Sequence, residues 1–183
     1  MKSPNSYEKE LTRFQRFRAI NPKKSDILFF AETASEWNCF LPIMTALSKG
    51  WGLNICYITT DPFDDALKVS NSQIHSFCVG NGEVRDRLFE YLDVKIMIMT
   101  MPDLNRFVMR SKESVYYIYV FHSLISSHMG YIKGAFDYYD SILCAGPHHI
   151  EELREMERVH GLPKKHLIEW GHTILDGILN ASR

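Results

Sequence analysis

His122 is the residue of this sequence whose type and position best suit acid–base chemistry. It lies at the end of the apolar segment VYYIYVFHS (115–123), which gives way to the polar segment SLISSH. An unperturbed imidazole titrates near neutral pH, so a histidine at such a position can serve as a general base. The alternative is a histidine that is hydrogen-bonded within its own loop.

A glycine-containing segment, GNGEVR (80–85), is a candidate anion site. Gly80 and Gly82 would leave bare backbone N–H groups at the start of a helix, which suits an anion. Arg85 occupies the position of the third glycine of a GxGxxG fingerprint, so the segment falls one residue short of that motif. The alternative is an ordinary glycine turn. The P-loop and GxSxG motifs are absent, which argues against a P-loop NTPase and an α/β-hydrolase.

Polar residues also follow other apolar segments. Glu32 and Ser35 lie in AETASEW, Asp61 lies in TTDPFDD, and His172 and Asp176 lie in WGHTILDGI. The acidic residues of the second of these segments either cap a helix or bind a metal, and capping alone explains them. The four cysteines form no CxxC pair, so we predict neither a zinc site nor a redox pair, and no cofactor.

Seven apolar segments are expected to form the strands that position these residues. Most lack period-2 alternation, and such continuous runs are typical of strands buried on both faces of a parallel sheet. The strands are predicted at 27–32, 53–61, 74–80, 94–101, 115–123, 141–146 and 166–171, and the helices between them at 38–49, 63–70, 82–92, 103–110, 128–138 and 147–160. This alternation predicts an α/β fold, a Rossmann-like doubly wound and mostly parallel sheet of six or seven strands. Ligands bind beyond the carboxyl ends of the strands in such folds.

The composition fits one folded domain preceded by a basic segment. The chain has 183 residues, of which 45% are hydrophobic and 23% charged, and no apolar run approaches the length of a membrane span. Residues 1–24 carry seven Lys and Arg against two Glu, whereas the remainder is acidic, which argues against a uniformly basic nucleic-acid-binding protein. We assign residues 1–24 to a basic N-terminal helix and linker, and residues 25–183 to the α/β domain.

The predicted N-terminal helix, residues 6–19, combines an apolar face with several basic side chains. Tyr7, Leu11 and Phe14 share that face at helical spacing. Such a helix can lie on an anionic membrane surface. Alternatively, its aromatic face packs against the domain or a second subunit, which we favour because the apolar patch is small.

Three blocks of the sequence resemble the N-terminal half of bacterial CDP-glycerol glycerophosphotransferases and related GT-B glycosyltransferase-like enzymes. They are ILFFAETASEWNCFLPIMTAL with NICYITTDPFDD, then VYYIYVFHS, and finally YDSILCAGPHHIEEL with LIEWGHTILD. In that family the second block ends in Trp-His-Gly and the third contains Gly-Tyr-Pro. This chain has Phe121-His122-Ser123 and Gly171-His172-Thr173 at those places.

The resemblance implies the acceptor-side domain of a transferase in cell-envelope polymer biosynthesis, with His122 as the catalytic base on an acceptor hydroxyl. Such an enzyme moves glycerol phosphate, or a related group, from a CDP-linked donor to a polyol or polysaccharide acceptor. Enzymes of this kind bind the donor mainly through a C-terminal domain, and this chain stops at Arg183, where the link to that domain would start. We therefore expect the donor site to be missing and this chain alone to be inactive.

The expected partners are CDP-glycerol or a similar nucleotide-linked donor and a polyol-phosphate or polysaccharide acceptor, but not nucleic acid. The expected location is the cytoplasm, at the inner face of the bacterial cell membrane, with contact through residues 6–19. A non-catalytic Rossmann-like module that binds a nucleotide, a sugar or a protein is the alternative. The candidate substrate-binding residues are Glu32, Ser35, Asp61, Gly80, Gly82, Arg85, Ser123, Lys133, His172 and Asp176.

Overall fold

Seven apolar segments pair side by side into one sheet in the computed structural model, which describes residues 4–20, 26–69, 72–90, 92–106, 108–111 and 114–181. Every pair of neighbouring strands is parallel. The strands are β1 (Ile27–Ala31), β2 (Ile55–Thr59), β3 (Ile74–Cys78), β4 (Ile96–Met99), β5 (Tyr116–Val120), β6 (Ser141–Cys144) and β7 (His166–Glu169). Their order across the sheet is β3-β2-β1-β4-β5-β6-β7.

Helices cover both faces of this sheet. They are α1 (Pro4–Ile20), α2 (Trp37–Trp51), α3 (Glu83–Glu90), α4 (Ser127–Gly130), α5 (Pro147–His160) and α6 (Thr173–Ala181), with short 3-10 helices at Ala34–Glu36 and Asp65–Lys68. Phe14 of α1, Phe89 of α3 and Leu153 of α5 enter one hydrophobic core. Phe40 and Met44 of α2 enter a second core. The predicted α/β, Rossmann-like doubly wound fold is therefore confirmed.

The predicted strands are all present, but each is between one and four residues shorter than predicted. The predicted helix 103–110 is wrong, because Asp103 and Asn105 have φ of 60° and 72°, outside the right-handed helical region. The predicted helix 128–138 is confined to α4, and the chain beyond it bends at Gly134, where φ is 88°. In the predicted helix 63–70, the described residues 63–69 contain only the 3-10 helix Asp65–Lys68.

The N-terminal helix packs its apolar face on the domain. Leu11 and Phe14 are buried, and the ring of Phe14 meets that of Phe77 on β3 edge-to-face at 5.3 Å between centroids. Ion pairs from Glu8 to Arg87 and from Arg18 to Asp93 hold the two ends of the helix. This is the packing alternative, and it leaves the basic side chains Lys9, Arg13 and Arg16 of α1 exposed. No helix within the described residues has the length and apolar character needed to cross a membrane.

Candidate functional site

A cavity of about 460 Å³ opens at the carboxyl edge of the sheet, where the strand order reverses between β1 and β4. Residues from three segments line it, and these segments (32–36, 100–102 and 122–131) follow β1, β4 and β5. Doubly wound sheets bind ligands at this topological position, because crossovers to opposite sides leave a crevice there. The cavity is therefore the candidate functional site.

Glu36 organises the wall of the cavity that follows β1. Its Oε1 accepts hydrogen bonds from the backbone N–H groups of Glu32 and Thr33, both at 3.2 Å. Its Oε2 accepts a hydrogen bond from the hydroxyl of Thr100, which follows β4. Burial raises the pKa of Glu36 above its ordinary value, although the hydrogen bonds from Thr100 and Thr33 oppose the shift. This carboxyl group therefore joins the loops of two neighbouring strands.

Replacing Glu36 tests this role, and the effect on the free energy of unfolding should depend on pH. We expect Glu36→Ala to lower the free energy of unfolding at pH 7 by about 1–3 kcal/mol, because the part-buried donors of Glu32 and Thr100 lose their acceptor. Glu36→Gln keeps an acceptor and removes a charge that folding disfavours, so it should match or exceed the wild type at pH 7. A raised folded-state pKa costs stability at neutral pH, and this cost fades as the pH falls through that pKa. Any gain from Glu36→Gln should therefore shrink in urea titrations as the pH falls from 7 towards the ordinary pKa of a glutamate, and a gain that grows would contradict the burial.

Glu32 is the second acidic residue that lines the same cavity. Burial raises its pKa, and the positive charge of Arg85 opposes the shift. Among the described residues none hydrogen-bonds to its carboxyl oxygens, whereas its backbone carbonyl accepts from the Thr60 hydroxyl at 2.7 Å. The backbone is thus fixed, and the carboxyl oxygens are available to a ligand.

His122 lines the cavity from the segment that follows β5. Its side chain reaches solvent, and no described residue hydrogen-bonds to its ring nitrogens, which differs from the loop-bound alternative. Partial burial of the ring, and to a smaller extent the nearby His172, lowers the pKa of His122 below its ordinary value. A neutral imidazole carries the lone pair that a general base needs. The geometry is therefore compatible with proton abstraction at this edge of the sheet.

Three other predicted site residues lie in or beside this cavity. Ser35 and Ser123 line it. The Ser35 hydroxyl lies 2.7 Å from the hydroxyl of Thr33. The Ser123 hydroxyl accepts a hydrogen bond from the backbone N–H of Ile125 at 3.3 Å. The Nε2 of His172 lies 3.2 Å from the backbone oxygen of His122. The ring of His172 therefore contacts the backbone of His122, and His172 is not among the residues that line the cavity.

Asp61 caps a turn next to the cavity. Its Oδ1 accepts from the backbone N–H of Phe63 at 2.9 Å, and its Oδ2 accepts from that of Ala34 at 3.1 Å. Both oxygens are thus engaged by backbone donors, as the capping alternative expects. No group of three or more His, Cys, Asp or Glu side chains in the described part of the chain is arranged to hold a metal ion.

The segment 80–85 forms a glycine turn that leads into α3. Gly80 is buried, with φ of 64°, and a side chain there would meet the ring of Tyr7 at 2.6 Å. The first turn of α3, which follows, carries Glu83 and Asp86, and these charges disfavour an anion. Arg85 pairs with Asp86 at 2.9 Å. The geometry agrees with the glycine-turn alternative, in which Gly80 and Gly82, both at positive φ, shape the turn.

Two predicted candidates are not brought together with His122. Lys133 lines a second cavity of about 620 Å³, which lies between the segment 128–133 and α5. Asp176 is exposed on α6, where its backbone N–H donates to the carbonyl of His172 at 3.2 Å.

The sequence analysis missed Glu36, Thr100 and Tyr131, which all line the cavity. Glu36 had a signal, because Thr33-x-x-Glu36 has the spacing at which a carboxylate reaches back to the start of a helix. Thr100 and Tyr131 had none, since only the packing of neighbouring loops brings them to the cavity.

Comparisons with known proteins give no relative. No family model, no curated protein and no solved structure matches the chain.

Proposed function

We propose that this chain is the acceptor-side domain of a glycerophosphotransferase-like GT-B enzyme. In this proposal the enzyme moves glycerol phosphate, or a related group, from a CDP-linked donor to a polyol or polysaccharide acceptor. The observation that carries the proposal is the cavity at the β1–β4 reversal, lined by His122, two carboxyl groups and several hydroxyls. The resemblance of three sequence blocks supplies the reaction class.

The lining suits hydroxyl groups better than phosphates. Carboxyl and hydroxyl oxygens accept and exchange hydrogen bonds with a polyol. None of the described lining residues is a Lys or Arg, and such cations are what bidentate or point-charge recognition of phosphate requires. The polyol end of an acceptor therefore fits this cavity, and the phosphates of the donor would be held elsewhere.

The proposed reaction uses His122 as the base. Its neutral ring takes the proton of an acceptor hydroxyl, and the freed oxygen attacks the β-phosphorus of CDP-glycerol. A new O–P bond forms as the bond between the β-phosphorus and the bridging oxygen breaks, and CMP leaves with that oxygen. Stabilising the charge on the phosphates needs cations, which the proposal assigns to a donor-binding domain.

A non-catalytic binding module is the second candidate. The absence of Lys and Arg from the described lining favours it, because a sugar or polyol could bind without any transfer. Serine at position 123, in place of the family's glycine, points the same way.

Calorimetric titration separates the two candidates. The ligands are ribitol, glycerol 1-phosphate, CDP-glycerol, CDP and UDP. The transferase proposal expects polyol phosphate to bind, and expects His122→Ala to weaken that binding at least tenfold. His166→Ala, at the opposite edge of the sheet where β7 begins, is the matched control and should bind as the wild type does. Tight binding of a bare nucleotide that ignores His122→Ala would favour the binding module.

The proposed acceptors are linked to the membrane, which places the protein at the inner face of the bacterial membrane within this proposal. Contact there would involve the exposed basic side chains Lys9, Arg13 and Arg16 of α1. Leu11 and Phe14 are buried against the sheet and could not contribute.

A further inference from the structure

We infer that His149 is a positioning residue that fixes the loop carrying His122, an inference that rests on the proposed function of His122. His149 lies in the first turn of α5 and is fully buried. It belongs to no lining of the candidate site, and its neighbour His148 is exposed. A buried imidazole needs partners for both nitrogens, and the identity of those partners shows what the ring does.

Both ring nitrogens of His149 bind backbone groups. Its Nε2 lies 2.8 Å from the carbonyl oxygen of Ile125, and its Nδ1 lies 3.3 Å from the backbone nitrogen of Ala145. The Ala145 N–H needs an acceptor and the Ile125 carbonyl needs a donor. Only the neutral ring with its proton on Nε2 satisfies both at once.

The face of the same ring stacks on Phe121. The two ring centroids are 3.8 Å apart, and the planes differ by 23°. Phe121 directly precedes His122, whereas Ile125 follows it by three positions. One buried ring therefore holds the chain on both sides of residues 122–124.

A second residue of α5 holds the far end of this loop. Glu152 accepts hydrogen bonds from the backbone N–H and the hydroxyl of Ser127, at 2.5 Å and 2.6 Å. Ser127 is buried and begins α4. His149 and Glu152 are three positions apart and so lie on one face of the helix. α5 thus presents one face to the loop between β5 and α4.

A serine at position 123 is compatible with this arrangement, because Ser123 is not among the described residues with positive φ. A glycine beside the histidine would allow backbone shapes that serine resists. Here contacts with His149 and Glu152 of α5 hold the loop in its conformation. The expected consequence is that His122 loses its orientation when His149 loses its hydrogen bonds.

Two substitutions of His149 separate its hydrogen bonds from its bulk. His149→Phe keeps a ring of similar size against Phe121 and removes both hydrogen bonds. His149→Gln loses the ring but keeps an amide donor for the Ile125 carbonyl. His160→Gln, in the exposed last turn of the same helix, is the control. His149→Leu, which also removes both hydrogen bonds but has a smaller side chain, replaces His149→Phe if that variant does not fold.

The measurement is the NMR titration of the His122 imidazole, followed by binding of glycerol 1-phosphate, at a temperature where each variant is folded. We expect His149→Phe to move the pKa of His122 up towards its ordinary value and to weaken binding at least tenfold. With His149→Gln, both quantities should stay close to wild type, within about threefold for the affinity. His149→Leu, if it is used, should shift both in the direction of His149→Phe.

Two results would overturn the inference. One is a folded His149→Phe, or in its place His149→Leu, with wild-type titration of His122 and wild-type affinity. The other is equal damage from His149→Gln and His149→Phe. If the wild type binds no polyol phosphate while the His122 titration still responds to His149→Phe, the positioning role stands and the proposed function fails.

Discussion

Phe14→Ala is expected to lower the free energy of unfolding by about 3–5 kcal/mol, the usual cost of deleting a buried phenylalanine ring. The side chain is 1% exposed, and it packs edge-to-face on Phe77 of β3. It is the most buried aromatic of α1, so its loss should also loosen the helix from the sheet. Phe63→Ala is the matched control, because that ring is 76% exposed and its loss should cost little.

Guanidinium titrations at pH 7 measure both variants. If Phe14→Ala costs no more than Phe63→Ala, then α1 is not part of the folded domain, and its apolar face is open to other partners. The same experiment on a chain lacking residues 1–24 should give a loss at least as large as that of Phe14→Ala.

CDP-glycerol incubated with this chain and a polyol phosphate is expected to release no CMP above the rate in buffer. Holding the reacting groups in line is worth about 7–11 kcal/mol of barrier. The cavity, as far as the described residues line it, offers no Lys or Arg to hold the donor phosphates. His122 can supply a base, but a base without a positioned electrophile gives little acceleration.

Chromatographic detection of CMP over several hours tests this expectation. His122→Ala and His166→Ala serve as paired variants. Release of CMP well above buffer that survives His166→Ala and is abolished by His122→Ala would contradict the assignment of the donor phosphates to another domain.

The sheet could be predicted from the sequence because its strands are buried on both faces. Segments such as ILFFA and ICYIT are continuous apolar runs, and few other structures tolerate them in a chain of this size. The ends of the strands were harder to predict. Residues such as Thr60 and Phe121 are buried just beyond the paired strand residues, so the sequence pattern predicts them to be part of the strand. The segment 103–110 has a helix-like pattern, but Asp103 and Asn105 adopt positive φ, a choice set by tertiary packing.

The candidate site could be predicted only in part. The strand-end rule placed Glu32, Ser35, His122 and Ser123 at one edge, and all four line the cavity. The rule does not predict where the chain runs after it leaves the strand. Lys133 was therefore grouped with His122, whereas α4 and the turn after it place Lys133 beside α5. His149 illustrates a further limit, because its contacts with Phe121 and Ile125 arise from packing between distant segments and carry no signal in the sequence.

Mapping a polyol phosphate onto the chain by NMR tests the central claim most directly. Backbone amide shifts are recorded while glycerol 1-phosphate is added to the wild type and to His122→Ala. The account predicts shifts concentrated in segments 32–36, 100–102 and 122–131, which line the cavity, and predicts that His122→Ala removes most of them. Shifts that instead cluster around the second cavity beside α5, or a wild-type pattern that His122→Ala leaves intact, would contradict it.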